Sequence, residues 1–401
     1  MTPGAPLAGV TILDLSRVLS GPYCTMLAAD MGARVIKIEH PVHGDDTRAW
    51  GPPFVDGESA YYLSINRNKE SVALDFSRPD GRALLDRLIA RADVLVENFR
   101  AGTLDRRGLG FADLSARHPR LVYVSLTGFG QTGPRRAEAG YDAVAQAEGG
   151  LMSVTGAADG PAVRLGVAIS DLACGMFAFQ GLLLALLARA NTGRGQLVDV
   201  GLLDATTALL TYQAQRYFAT GSPPGRHGNR HLAIAPYDTF DVSDGVLVLA
   251  VGHDAQWPRF CRAVGLEALA ADPRFLANAQ RAADYGVLRP IIAAALAPRR
   301  RDDLIRALRA ADVPCGAVRS LEDALSDPQT LAREMVATLA HPTIGPLQTL
   351  GLPVKLSDTP GALRTPPPRL GEHTRHVLRS DLGEDEAAID RLVASGVLRT
   401  T

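Results

Sequence analysis

Cysteine is scarce in this chain, and what little there is excludes a good deal. Cys24, Cys174, Cys261 and Cys315 are the only four in 401 residues, far apart and with no CxxC pair. That spacing argues against a zinc site or a disulfide framework and for a reducing compartment. Net charge is also lacking: 42 basic against 43 acidic residues leave −1, so no global field draws nucleic acid or an anionic membrane. The one dense basic run, Arg299 to Arg301, is followed at once by Asp302 and Asp303 and reads as a solvated helix start. The longest apolar stretch, Leu172 to Ala188, is interrupted by Gln180 and two glycines and falls short of the ~20 residues a membrane span needs. A buried core helix is expected there. The short N-terminus has no basic region before it enters a strand pattern, so no signal peptide is expected and the cytosol is the expected location. Neither G-x-S-x-G, H-E-x-x-H nor a P-loop occurs, which counts against serine hydrolases of that type, zinc peptidases and P-loop NTPases.

What is present is a regular alternation of strand and helix patterns over the first two hundred residues. Strands are expected at Gly9 to Leu15, Arg34 to Ile38, Ser71 to Phe76, Asp93 to Glu97, Arg120 to Leu126 and Gln196 to Val200. Helices are expected at Pro22 to Met31, Gly81 to Ala92, after Leu172, and at Leu202 to Leu210. Such repetition implies an α/β fold, a mostly parallel sheet with helices on both faces, and ligands outside the carboxyl ends of its strands. A Gly/Pro/Arg-rich linker near Ser222 to Asn229 precedes a strand pair that turns through Asp244-Gly245, then several helices: a smaller α+β domain. The expected division is a large domain over 1–221, the small one over 222–325, and a return segment over 326–401. That last segment reads as proline-stiffened chain ending in a helix, laid over a surface.

Asp171 stands out. It sits where a long apolar helix begins, near free N–H groups and the positive end of the macrodipole, which favours the ionised carboxylate a nucleophile needs. A plain N-cap aspartate reads the same way. Arg17 projects from the first βα turn, Leu15-Ser-Arg-Val-Leu-Ser-Gly-Pro22, as an anion partner or a surface arginine. That turn holds one glycine where a dinucleotide cradle would have three, so an NAD site is not supported. Asn98 and Phe99 follow another strand and suit an adenine, or a turn with a packed ring. Asp142 is a helix cap or a second carboxylate in the site, and a lone histidine such as His231 is more often structural than functional. Gly128 to Gly133 and Gly225 to Gly228 are two glycine-rich stretches able to cover a site.

Taken in order, Leu13-Asp-Leu-Ser-Arg-Val-Leu-Ser-Gly-Pro22, Gly32-Ala-Arg-Val-Ile-Lys-Ile-Glu39, Asn66-Arg-Asn-Lys69, Val94-Leu-Val-Glu-Asn-Phe99, Thr192-Gly-Arg-Gly-Gln196 and Leu370-Gly-Glu-His-Thr374 resemble the class III CoA-transferase (CaiB/BaiF-like) family. The resemblance runs from about Leu7 to the C-terminus. It implies a Rossmann-like large domain, a smaller domain, a C-terminal return, and an interlocked homodimer. It implies Asp171 as the nucleophile that carries CoA as an aspartyl thioester, with no permanently bound cofactor and no metal. Arg17, Val18, His40, Leu74, Asn98, Phe99 and Arg106 match the family's CoA-contacting positions. His40 stands where an arginine can occur, and Ala139 where a relative has lysine. Asp46 to Phe54 and Tyr61 to Lys69 resemble the branch that exchanges CoA between succinyl-CoA and dicarboxylic acids such as glutarate, hydroxymethylglutarate, citramalate or malate. Arg48 and Arg164 are expected to grip the far carboxylate of such an acid, with Asp142 and His231 beside them. The family's racemase branch carries a histidine where this chain has Tyr141. With a reference pKa near 10, tyrosine is a poor neutral-pH proton shuttle, so racemisation is disfavoured. A non-catalytic CoA-binding relative is the remaining alternative.

Overall fold

A computed structural model describes residues 4–401 and divides the chain into two compact units. The larger contains the chain up to Leu151, then Arg164–Gln215 and Pro328–Thr401; the smaller contains Met152–Val163 and Arg216–Asp327. The small unit therefore begins six residues before the expected 222 and also takes in 152–163, a stretch without the periodicity that would have revealed it.

Six parallel strands form the frame of the large unit: β1 Thr11–Asp14, β2 Arg34–Glu39, β3 Lys69–Leu74, β4 Val94–Glu97, β5 Val122–Thr127 and β6 Leu197–Gly201. Their order is β3-β2-β1-β4-β5-β6, so the winding reverses between β1 and β4. That reversal is the doubly wound arrangement, and the crevice at the strand ends there is its natural ligand site. Alternate residues serve opposite faces. Leu13, Ile36, Val72 and Leu95 pack into one apolar layer, whereas Ile12, Val35, Val94 and Val124 pack into the other. Both faces are covered, which is why the strands read as nearly continuous apolar runs.

The second layer holds helices α1 (Ser20–Asp30), α2 (Asp142–Glu148), α3 (Ile169–Thr192) and α4 (Leu202–Ala208). At 24 residues α3 is long and apolar enough to cross a membrane by length and composition, longer than the sequence suggested. It is not wholly buried either. Ala173, Cys174, Ala178, Leu182 and Ala185 face the core, while Met176, Phe177, Leu183, Leu184 and Leu187 are exposed. The smaller unit has its own antiparallel sheet of β7 (Tyr237–Val242), β8 (Gly245–Ala250) and β9 (Cys315–Ala317) over a core centred on Trp257, Phe260 and Leu288.

The tail is more structured than its prolines suggested. Val336–His341 and Gly345–Leu350 form a hairpin, and helices follow at Thr374–Leu382 and Glu386–Ala394. The final strand, β10 (Leu398–Arg399), then pairs antiparallel with β3, Leu398 opposite Leu74.

Candidate active site

The loops after β1 and β4 meet at the winding reversal and clasp each other. The Arg17 amide donates to Asn98 Oδ1 at 2.8 Å, and Asn98 Nδ2 donates to the Arg17 carbonyl at 2.6 Å. Beneath them lies a buried charge network. Lys37 donates to the Ser16 carbonyl at 2.8 Å and pairs with Asp45 at 2.9 Å; Lys69 pairs with Asp14 at 3.2 Å. Asp45 also accepts from the Val18 amide. Burial alone would raise the Asp45 carboxyl, but Lys37 holds it down at about 2. Burial lowers Lys69 to about 8 against the opposing pull of Asp14. Paired charges of this kind fix geometry more than they add stability. Val18 is held at φ +70, an uncommon conformation for a β-branched residue.

Two cavities open on either side of this clasp. The first, of about 790 Å³, is lined by Arg17, His40, Leu74, Phe76, Phe99 and Arg107 among others. The second, of about 870 Å³, includes Arg17, Val18, Asn98, Phe99, Tyr141 and Asp171 in its lining. Arg17 and Phe99 thus belong to both, with the guanidinium 5.3 Å from the ring centroid. Six of the seven expected CoA positions line one cavity or the other. Arg106 lines neither; its side chain donates to the Thr103 hydroxyl at 3.4 Å, and the tight turn Asp105–Arg107 presents Arg107 to the first cavity instead.

Asp171 is the third residue of α3, whose N-cap is Ala168, so the simple capping reading does not hold. The cap comes from another element: Asp142, the first residue of α2, accepts from the Ser170 amide at 2.9 Å and from Gln146 at 2.7 Å. The direction of the expected pKa shift is also reversed. Burial, and then the facing charge of Asp142, push the Asp171 carboxyl up to about 7, against a hydrogen bond from Ser20. A helix dipole worth under ~1 kcal/mol in the first turn is outweighed by these two effects. Tyr61, pushed to about 12 by burial and by Asp171, belongs to the same surroundings. Neither Ser20 nor Tyr61 was singled out from sequence as a functional residue; Ser20 was nevertheless visible, one position before Gly21-Pro22.

Gly175 explains how Ser20 comes so close. A Cβ there would lie 2.6 Å from the Ser20 carbonyl and 3.1 Å from the Tyr23 ring, so the glycine lets α1 and α3 touch. In Gly175→Ala, helix propensity returns up to ~1 kcal/mol against an overpacking cost of about 1–3. We expect a net stability change within about 2 kcal/mol but turnover lower by about 10–100-fold, because Ser20 is displaced from Asp171. Thermal melts and kcat measured together check this.

The remaining expected substrate residues fare differently. Arg48 is not a free cation: it donates to both Glu39 oxygens (2.7 and 2.8 Å), to the Tyr62 hydroxyl at 2.6 Å and to the Pro368 carbonyl at 3.0 Å. Arg164 is exposed, donates to the neighbouring Leu165 carbonyl, and is not among the residues around the Asp171 cavity. The guanidinium groups of that cavity are those of Arg17 and Arg100. His231 belongs to the small unit, where its amide donates to the Tyr237 carbonyl and its Nδ1 accepts from the Ala233 amide. Among the described residues no cluster of His, Cys, Asp and Glu could hold a metal ion.

The Asp171 carboxyl, half-buried in the first turn of α3, thus lines a cavity that shares Arg17 and Phe99 with a second one. The sequence model of CoA-transferase family III matches residues 7–374, and the chain belongs to that family. It is 42% identical over 393 residues to the succinyl-CoA:glutarate CoA-transferase of Mus musculus, covering 98% of this chain and 90% of that protein. A succinate–glutarate CoA-transferase of Agrobacterium fabrum is 42% identical over 379 residues, covering 93% and 95%. Among solved structures, a CaiB/BaiF family protein from Brucella suis superposes with a TM-score of 0.85 at 40% identity, covering 94% of this chain and all of that one.

Proposed function

We propose that this CoA-transferase exchanges CoA between succinyl-CoA and a second dicarboxylic acid through a covalent intermediate on Asp171. The observation that carries the reading is that Asp171 lines a cavity which shares Arg17 and Phe99 with the cavity holding His40, Leu74 and Phe76. The choice of dicarboxylates rests on the glutarate relatives. The base and ribose of CoA occupy the first cavity, between Phe76, Phe99 and Leu74; the pantetheine arm passes Arg17, and the thioester reaches Asp171.

The Asp171 carboxylate attacks the thioester carbonyl carbon, and the C–S bond breaks to release CoA thiolate and leave a mixed anhydride. The thiolate then attacks the aspartyl carbonyl carbon and expels succinate, leaving CoA on Asp171 as a thioester. The acceptor carboxylate attacks that carbon, giving a second anhydride, and the thiolate finally takes the acceptor's acyl group and frees Asp171. Atoms and charge balance without any external proton or electron. The covalent carrier keeps the thioester free energy that hydrolysis would lose, so water must stay out while the intermediate lives. Asp142 makes departure from the charged state favourable: forming the thioester removes one of two facing negative charges, and a nucleophile whose ground state is raised this way has a lower barrier to cross. The exposed ridge of Met176, Phe177, Leu183, Leu184 and Leu187 suits a contact with a second copy, in line with a homodimer.

Incubating the enzyme with radiolabelled succinyl-CoA and a panel of dicarboxylic and monocarboxylic acids tests the reading. Transfer to glutarate or a similar diacid, at rates well above those for monocarboxylates, is expected; exclusive use of monocarboxylates overturns the substrate class.

The pH profile gives a sharper check. Only ionised Asp171 attacks, so kcat/KM should rise with pH through a midpoint at about 7 to a plateau beyond it. In Asp142→Asn one cause of the raised value is gone while burial remains. The rise should shift down by about one pH unit, and an unshifted profile removes Asp142 from this role.

A further inference from the structure

Resting on the proposed CoA site, we propose that His40 and His43 form a proton-linked clamp for the phosphomonoester of the ligand's nucleotide end, making recognition of that phosphate pH-dependent. The two imidazoles stack in parallel at the first cavity, centroids 4.0 Å apart and planes 2° from coplanar. Local contacts occupy one nitrogen of each ring. His40 Nδ1 accepts from the Val42 amide at 3.2 Å, and His43 Nδ1 lies 3.1 Å from the Gly44 carbonyl. Among the described residues neither Nε2 has a partner, so each ring keeps one nitrogen for a ligand.

Two parallel rings at this distance resist carrying two positive charges, because the second proton meets the full repulsion of the first. Charged groups from several neighbouring elements face the pair. Asp75, just beyond β3, lies within electrostatic reach of His40 and its carboxylate also accepts from the Ser77 amide. The other acids at this cavity are already committed: Asp45 to Lys37, and Glu39 to Arg48. Arg17 and Arg107 add positive charge from the loops after β1 and β4. A phosphate dianion reverses that balance, supplying the counter-charge that admits the second proton. Imidazole changes charge in the neutral range, so the uptake falls near physiological pH. Arg17, shared by both cavities, lies on the path of the diphosphate. The two histidines, with Arg107 across the same cavity, face the remaining space in which the monoester would lie.

Titration calorimetry on the full-length protein, with CoA and with 3′-dephospho-CoA in phosphate-free buffers of different protonation heat, tests this. Between about pH 6 and 8.5 we expect uptake of up to about one proton with CoA and none with dephospho-CoA. The affinity advantage of CoA should fall about tenfold across that range, as charge-assisted hydrogen bonds are lost. His43→Phe keeps a stacking ring without its proton, and His43→Gln serves if the first folds poorly; in either, proton uptake should vanish and the CoA advantage become small and flat with pH. Equal uptake with both ligands, no uptake with either, or uptake persisting in both variants overturns the clamp. Tight CoA binding without this linkage refutes the clamp alone, whereas failure to bind CoA at any pH refutes the site on which it rests.

Discussion

Asp171→Asn should abolish transfer, by about 10⁴-fold or more, because an amide cannot attack the thioester as the carboxylate does or become the acyl and thiol carrier. Asparagine has the shape of aspartate and an oxygen to accept from Ser20, so the fold should survive. It should even gain. A carboxyl raised from 3.8 to about 7 in the folded protein costs nothing below about pH 4, where folded and unfolded chains both hold the proton. The cost grows as pH rises through that window and is complete above about 7. Asp171 keeps some contact with solvent, so screening reduces the penalty, and we expect the variant to be more stable at pH 8 by about 2 kcal/mol, with no gain at pH 4. Exchange of label between succinate and succinyl-CoA measures the activity. Hydroxylamine, added with succinyl-CoA to the unmodified enzyme, should convert Asp171 to a hydroxamate that peptide mass spectrometry detects. Normal exchange in the asparagine variant would sink the mechanism.

The second large effect concerns folding rather than chemistry. From sequence, Arg48→Met should raise KM for dicarboxylates selectively; from the structure it should unfold the protein more easily. Arg48 satisfies both oxygens of buried Glu39 and lies 3.7 Å over the Tyr62 ring. Removing it strands a buried carboxylate, at a cost of about 3–5 kcal/mol. The pH dependence identifies the cause. Glu39 is now held below its ordinary range, because Arg48 and Lys37 outweigh burial, and so stabilises the protein above that range and less on acidification. Without Arg48, the deficit should shrink as acid neutralises Glu39, and Glu39→Gln in the same chain should recover part of it. Denaturant titrations at several pH values check this; a selective KM effect with unchanged stability would restore the arginine to the substrate.

Arg48 also shows where sequence reading stops. The order of strands and helices was legible because period and apolar runs are local, and a strand end followed by Arg17 or Asn98 marks a ligand crevice without any coordinates. The place of Asp171 at a helix start was legible for the same reason. What could not be read was how distant segments share charge. Arg48 and Glu39 are nine residues apart, yet Tyr62 and Pro368 complete the same site. Burial, and then the facing charge of Asp142 from the start of another helix, raise the Asp171 carboxyl where its helix position alone predicts a lowered one. Arg106 and Arg107 were indistinguishable until a tight turn chose between them. The closing strand Leu398–Arg399 is too short to announce itself; its place is set by the edge of β3 that it covers.

Val18 has a practical consequence for anyone wishing to harden this enzyme. A glycine there would relax the left-handed twist and yield a sturdier polypeptide by the measure of a melting curve. It would also slacken the loop that now stands ready before any ligand arrives, so the ordering would have to be done afresh in each catalytic cycle. Screens that select for heat tolerance alone will be drawn to this position, and the winners they pick should be slow.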